Sequence, residues 1–188
     1  MTLELSNETL PLLGIAAWSG TGKTTMLERL LPALAQRGLR VAVIKHAHHS
    51  FDIDQPGKDS YRLRNAGASP ILVASRERFA LMMETPERQE PELTMLIEQV
   101  RPQQPDLVLV EGFKEWPLPK LELHRPALGK PLLAQDDPWI LAVASDEPVD
   151  LPADVWALEL NDIPSLAEYV ATWPGHWSQR RQPRREAR

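Results

Sequence analysis

In Leu10-Pro11-Leu12-Leu13-Gly14-Ile15-Ala16-Ala17-Trp18-Ser19-Gly20-Thr21-Gly22-Lys23-Thr24-Thr25-Met26-Leu27-Glu28-Arg29-Leu30-Leu31, three patterns follow one another without a break. The first seven residues form an apolar run that reads as a buried strand, and the last six repeat apolar residues at helical spacing. Between them lies a glycine-rich turn ending in Gly22-Lys23-Thr24. Such a turn aims backbone N–H groups inward, and the following helix adds its partial positive charge, so the stretch is built to hold phosphate. Lys23 then bridges the outer phosphates and the Thr24 hydroxyl binds Mg²⁺. Ala17 stands where the pattern G-x-x-x-x-G-K-[ST] has its first glycine; its methyl permits close backbone approach but gives up easy access to positive φ. The expected ligand is a nucleotide.

Outward from this stretch, strands and helices alternate. The helix runs to about Arg37, with Gly38 as its terminator and Pro32 expected to kink or interrupt it. Residues 39–44 read as a second buried strand, joined to the first by a right-handed parallel crossover. A short helix follows at 59–66, then strands at 70–75 and 78–83, and a helix inside 90–101. Further strands are expected at 106–112, 120–124, 139–146 and 155–160, and a closing helix at 163–173 with Asp162 near its N-cap. Residues 125–138, rich in Pro, Gly and Asp, read as a loop. Continuously apolar strands separated by helices indicate a parallel α/β sheet. With the phosphate loop, the expected fold is an α/β, three-layer P-loop NTPase fold, its sheet mainly parallel with helices on both faces. The expected organisation is a flexible lead-in over residues 1–9, a single domain over 10–174, and a basic, disordered tail over 175–188.

The composition suits such a domain. At 188 residues, 43% hydrophobic and 25% charged, the chain is ordinary for a soluble protein. Its apolar runs are too short to span a bilayer, so no membrane association is expected. The absence of cysteine rules out disulfides, thiolate catalysis and Cys-ligated zinc, and fits a cytoplasmic protein. A net charge of −5 argues against a nucleic-acid partner. Five arginines crowd residues 180–188, which reads first as a solvated terminus.

Phosphate chemistry needs a metal, positioned cations and an oriented nucleophile. Beside Lys23 and Thr24, the strand-end acid Glu111 is the second candidate metal ligand and catalytic group, and Gly112 after it is placed to offer its amide to a γ-phosphate. Lys45 to Asp59 concentrates His46, His48, His49, Asp52 and Asp54 at the end of the second strand. Phosphate or Mg²⁺ contact, a polar loop and a transition-metal site are all open for it. Asp146 at a strand tip is a candidate to accept from guanine N1–H and the exocyclic amine, and Ser75-Arg76 at another tip to line the nucleotide; a polar strand end with no ligand role is equally open for both. Trp18 in the phosphate loop and Trp116 after the Glu-Gly turn are candidates to border a ligand or a partner, while Trp139, Trp156, Trp173 and Trp177 read as core or interface.

Ala16 to Thr25, Ile44-Lys45-His46-Ala47-His48-His49, Pro56-Gly57-Lys58-Asp59-Ser60-Tyr61, Val73-Ala74-Ser75 and Leu109-Val110-Glu111-Gly112-Phe113-Lys114 together closely resemble the MobB family, GTP-binding accessory proteins of molybdopterin guanine dinucleotide synthesis. The resemblance runs from about Leu10 to Trp173, and Ala17 in place of glycine is part of the family's pattern. It implies GTP with Mg²⁺, a feeble GTPase activity, a homodimer, and association with the guanylyltransferase MobA, with molybdopterin as a further ligand. By resemblance Ser19, Gly20, Thr21, Gly22, Lys23, Thr24 and Thr25 hold the phosphates and Mg²⁺, Glu111 is the strand-end acid, and the Lys45 to Asp59 segment belongs to the same cleft. Two other classes share the phosphate loop: a kinase of a small metabolite, and a metal-insertion GTPase of the nickel-chaperone kind, to which the three histidines point.

Overall fold

The computed structural model describes residues 5–47, 51–85 and 91–184. Strand β1 (Leu12–Ala17) is apolar along both faces because both are covered, and it lies at the centre of the sheet. Helix α1 (Lys23–Gln36) turns Met26, Leu27, Leu30 and Leu34 into the core. It ends as the sequence leads one to expect: Gly38, at φ 81°, donates to Ala35 O, and Leu39 donates to Leu34 O. Pro32, however, does not interrupt it. The proline is on the exposed side, so the Glu28 carbonyl it leaves without an N–H partner faces water.

The remaining elements are β2 (Val41–Lys45), α2 (Asp59–Asn65), β3 (Ile71–Ala74), β4 (Phe79–Met82), α3 (Leu93–Val100), β5 (Leu107–Glu111), β6 (Lys120–His124), β7 (Ile140–Ser145), β8 (Trp156–Glu159), α4 (Ile163–Ala171) and α5 (Trp177–Arg180). The 125–138 loop carries two 3-10 turns, Pro126–Leu128 and Leu133–Gln135. Six strands form one all-parallel sheet in the order β2-β5-β1-β6-β7-β8, with α1 and α4 packed against each other. Every strand therefore delivers its carboxyl end to one edge, where open α/β sheets bind ligands.

The chain divides into two compact units: Ala47–Pro91, and the remainder. The physical reason is that, among the described residues, β3 and β4 pair only with each other, as an antiparallel hairpin outside the main sheet. Within that smaller unit Arg64 on α2 gathers three carboxylates, Asp52 at 2.5 Å, Glu84 at 2.9 Å and Asp54 at 3.7 Å.

Both expected loose ends are folded where described. Leu5 and Leu10 are buried, with a 3-10 turn over Leu5–Asn7. Past residue 175, Trp177 is buried too, and Arg184 donates to the carbonyls of Ala134 and Asp137. The cause is aromatic: Trp173 and Trp177, four residues apart, both sink into the main unit, and their indole N–H groups donate to Leu12 O and Glu8 O, each at 2.8 Å. Trp139 is half-buried and Trp156 is exposed, so the core assignment does not extend to Trp156.

Strand β6 carries Lys120, Glu122 and His124 on one face, all buried. Lys120 pairs with Asp137 at 2.7 Å, and Glu122 accepts from the N–H groups of Leu133 and Ala134 at 2.9 and 2.8 Å. Gly14 of β1 stands opposite Lys120; a Cβ there would come within 2.8 Å of the lysine Cγ. A side chain at position 14 would close the lane the lysine stem follows.

Candidate functional site

The site grows from the junction of β1 and α1. Gly20 and Gly22 hold φ values of 85° and 97°, which fold the chain back before the helix begins. Gly22 is the N-cap and brings no side chain to satisfy the first amides, so those donors are left for a ligand. Lys23 arches back over the loop, its Nζ 3.3 Å from Ala17 O and 3.4 Å from Trp18 O. Thr21 is buried, its hydroxyl donating to Trp18 O at 2.8 Å, so it shapes the loop from within. Ser19, Thr24 and Thr25 are exposed.

Two contacts from the 125–138 loop clasp this turn. Trp18 Nε1 donates to Pro131 O at 2.8 Å, and Arg125 Nε donates to Thr21 O at 2.9 Å. Lys114 and Lys130 add their ammonium groups over the Trp18 ring, 5.1 and 5.9 Å from its centre.

Glu111 ends β5 next to β1 and β2, nearly buried, with Lys45 Nζ 3.3 Å from its carboxylate. Gly112 follows at φ 91°, against His46, whose N–H donates to Glu111 O at 2.8 Å. The His46 ring lies 5.2 Å from that of Phe113, which in turn meets Trp116 edge-on.

The other expected residues are placed differently. Asp146 accepts from Arg125 Nη1 through one oxygen, while its other oxygen is buried without a hydrogen-bond partner. Asp52 belongs to the smaller unit, where the backbone N–H of Asp54 and then Arg64 hold its carboxyl below the usual range. Ser75 belongs there too; its hydroxyl takes the N–H groups of Glu77 and Arg78 and donates to Arg78 O, closing the β3–β4 turn. His48 and His49 lie outside the described residues. Among the described residues no cluster of three or more His, Asp or Glu is placed to hold a metal ion.

Sequence reasoning missed Arg125 and Asn161. They line a cavity of about 300 Å³ with Gly20, Thr21, Gly22, Thr25 and Arg29, walled by Met26, Leu160 and Ile163. The available signal was position, since Arg125 directly follows β6 and Asn161 follows β8 at the ligand-binding edge.

A central strand, a side-chain-free helix cap and a lysine arched over the turn define a protein of the P-loop NTPase class. The sequence matches the family of molybdopterin guanine dinucleotide synthesis protein B, MobB, over residues 12–146, and this chain belongs to that family. It is 50% identical, over 87% of its length and 93% of the relative's, to the molybdopterin-guanine dinucleotide biosynthesis adapter protein of Escherichia coli K12. A crystal structure of molybdopterin-guanine biosynthesis protein B superposes with a TM-score of 0.69 at 29% identity, covering 87% of this chain and 99% of that one. HypB from Helicobacter pylori, solved with nickel, shares the fold at a TM-score of 0.50 and 16% identity, covering 95% of this chain and 92% of that one. No helix among the described residues is long and apolar enough to cross a membrane.

Proposed function

We propose that this chain is a GTP-binding accessory protein of molybdopterin guanine dinucleotide biosynthesis, working in the cytoplasm, whose task is to hold nucleotide and whose Mg²⁺-dependent hydrolysis is slow. The observation that carries it is the uncapped N-terminus of α1, presented by Gly22 beneath the arched Lys23. The helix amides hold the phosphates, and the lysine ammonium turns from the loop carbonyls to their outer oxygens.

The chemistry of the donor set fits Mg²⁺. Thr24 supplies a hydroxyl and Glu111 a carboxylate, both hard oxygen donors. When bound, Mg²⁺ neutralises charge on the β- and γ-phosphate oxygens. Lys45 already balances the Glu111 charge at 3.3 Å and would shift toward the phosphates as that role is taken over. Slow turnover is in keeping with the surroundings. Among the described residues no glutamine lines the cavity, and of its two arginines Arg125 is engaged by Thr21 O and Asp146 while Arg29 lies on the exposed side of α1. An orienting glutamine and a free arginine are what fast enzymes of this class use.

An accessory role places the guanylyltransferase MobA as partner and molybdopterin as a further ligand, in keeping with the adapter name of the relatives. The protein works as a homodimer, supported by the exposed apolar face of the β3–β4 hairpin, where Leu72 and Phe79 are 60% and 63% exposed. The nickel-chaperone reading rests on the three histidines, of which His48 and His49 lie outside the described residues, and on a likeness of fold.

Titration with GTP, GDP and ATP, with and without Mg²⁺, tests the proposal. GTP is expected to bind more tightly with Mg²⁺, and Lys23→Ala to abolish binding, while single-turnover hydrolysis stays slow. Failure to bind any nucleotide overturns the proposal, and rapid turnover overturns its second half.

A further inference from the structure

We propose that the cavity beside the phosphate loop receives the purine of the bound nucleotide, and that Arg125 is the residue that selects guanine. This rests on the nucleotide-binding reading above and adds to it the group that reads the base. The cavity begins at Gly20 to Gly22 on the loop, runs along Thr25 and Arg29 of α1, and continues to the β8–α4 junction at Leu160, Asn161 and Ile163. Met26, Leu160 and Ile163 offer apolar walls to the faces of a flat ring, and Thr25, Arg29, Arg125 and Asn161 stand between them as polar groups.

Arg125 is the fixed group. Nε donates to Thr21 O at 2.9 Å, and Nη1 donates to Asp146 at the tip of β7. Nη2 stands 3.5 Å from Asn161 Oδ1, a marginal contact, and is the atom nearest to a Cβ built on Gly22, at 4.0 Å. A guanidinium carries five N–H donors and no acceptor. One is used at Nε and one at Nη1, which leaves donors on the Nη1 and Nη2 edge for a ligand. The complementary base edge must offer acceptors only. Guanine does so with O6 and N7 side by side, whereas adenine sets its N6 amino donor against the guanidinium.

The same geometry reassigns Asp146. Its free oxygen is buried and the other is taken by Arg125, so the carboxylate acts through the arginine as a positioning residue. A carboxylate reader and an arginine reader make different demands on the base. The carboxylate needs the exocyclic amine of guanine; the arginine needs only O6 and N7, which inosine keeps.

The experiment compares GTP, ITP and ATP affinities, with Mg²⁺, in the wild-type protein, Arg125→Met and Asp146→Asn. In the wild type GTP and ITP are expected within about twofold of each other and both roughly tenfold or more tighter than ATP. Arg125→Met is expected to bring GTP and ITP close to ATP, and Asp146→Asn to shrink the same ratio. The ratio is the readout because loss of the Thr21 anchor lowers all three affinities together. Should the methionine variant fail to fold, Arg125→Lys gives the same test, since an ammonium lacks the fork. An unchanged GTP-to-ATP ratio in the variant, a tenfold wild-type preference for GTP over ITP, or equal wild-type binding of ATP and GTP overturns the inference and leaves the phosphate site standing. A wild-type protein that binds none of the three overturns the nucleotide reading itself.

Discussion

Lys45 and Glu111 end neighbouring parallel strands in direct register, and their side chains meet at 3.3 Å beside the phosphate loop. A nearly buried carboxylate at a strand tip needs a cation, and the lysine provides one from the protein. Replacing Glu111 with Gln removes the hard anionic donor and keeps the shape. The expected result is that Mg²⁺ no longer tightens GTP binding, a loss of about tenfold or more, while Mg²⁺-free binding changes little. Calorimetric titration with and without the metal checks this, and an undiminished Mg²⁺ effect would remove Glu111 from the site.

Gly112 is required twice over. Its φ of 91° strains any other residue, and a Cβ built there would lie 2.8 Å from His46 Cβ and 3.0 Å from His46 O. Gly38 has the same backbone sign, at φ 81°, but nothing within 4 Å of its added Cβ. Gly38→Ala should therefore cost only the conformational strain, about 1 kcal/mol, and Gly112→Ala about 2 kcal/mol or more. Urea unfolding of the two variants side by side decides it; equal losses would mean that His46 gives way freely.

Glu122 is fully buried, and desolvation raises its pKa from the ordinary 4.5 despite the two N–H groups it accepts. The folded state thus holds this proton more tightly than the unfolded chain. The stability linked to it is complete below pH 4.5 and is lost as pH rises through the raised folded value. Glu122→Gln cannot ionise, so the variant should gain on the wild type as pH is raised from 4 toward neutrality. Chemical denaturation midpoints across that range measure the trend, and parallel curves for the two proteins would contradict it.

On the β3–β4 hairpin Leu72 faces Leu81 and Ala74 faces Phe79, which puts Leu72, Leu81 and Phe79 on one exposed face. A lone two-stranded ribbon is marginal in water, and among the described residues neither of its edges pairs with another strand. For the homodimer proposed above, Leu72→Glu together with Phe79→Glu should leave a monomer. Sedimentation equilibrium reads the mass directly; a double variant that sediments like the wild type places the interface elsewhere.

How much of this was legible in the sequence follows from what is local. The strand, turn and helix around Lys23 could be read because a buried run, two glycines and a 3.6-residue period all lie within 22 residues. The insertion of β5 between β2 and β1 could not, since strand order is set by crossovers that leave no local mark. The alternation Lys120-Leu121-Glu122-Leu123-His124 looks like a strand with one wet face; the loop at 125–138 buries that face instead. At the far end, arginine-rich composition drew attention from the spacing of Trp173 and Trp177, which folds the segment down. Asp146 was found at the right edge of the sheet, but Arg125, the residue through which it acts, comes from 21 positions earlier in the chain.

Trp18 offers a signal specific to the phosphate loop. Its N–H is fixed on Pro131 O, and two ammonium groups flank its ring. Phosphate arriving at the neighbouring amides attracts Lys114 and Lys130 and changes the charge around the indole, whose emission responds to nearby charge. Nucleotide should therefore alter the intrinsic fluorescence of the wild type. Trp18→Phe keeps an aromatic ring in the clasp but loses the indole and its hydrogen bond, worth about 1 kcal/mol, so the affinity should fall only several-fold. The fluorescence change should disappear with it, although five other tryptophans remain. A full-sized change in the variant would locate the reporting indole elsewhere, Trp116 first, and would mean that phosphate binding leaves the clasp around Trp18 undisturbed.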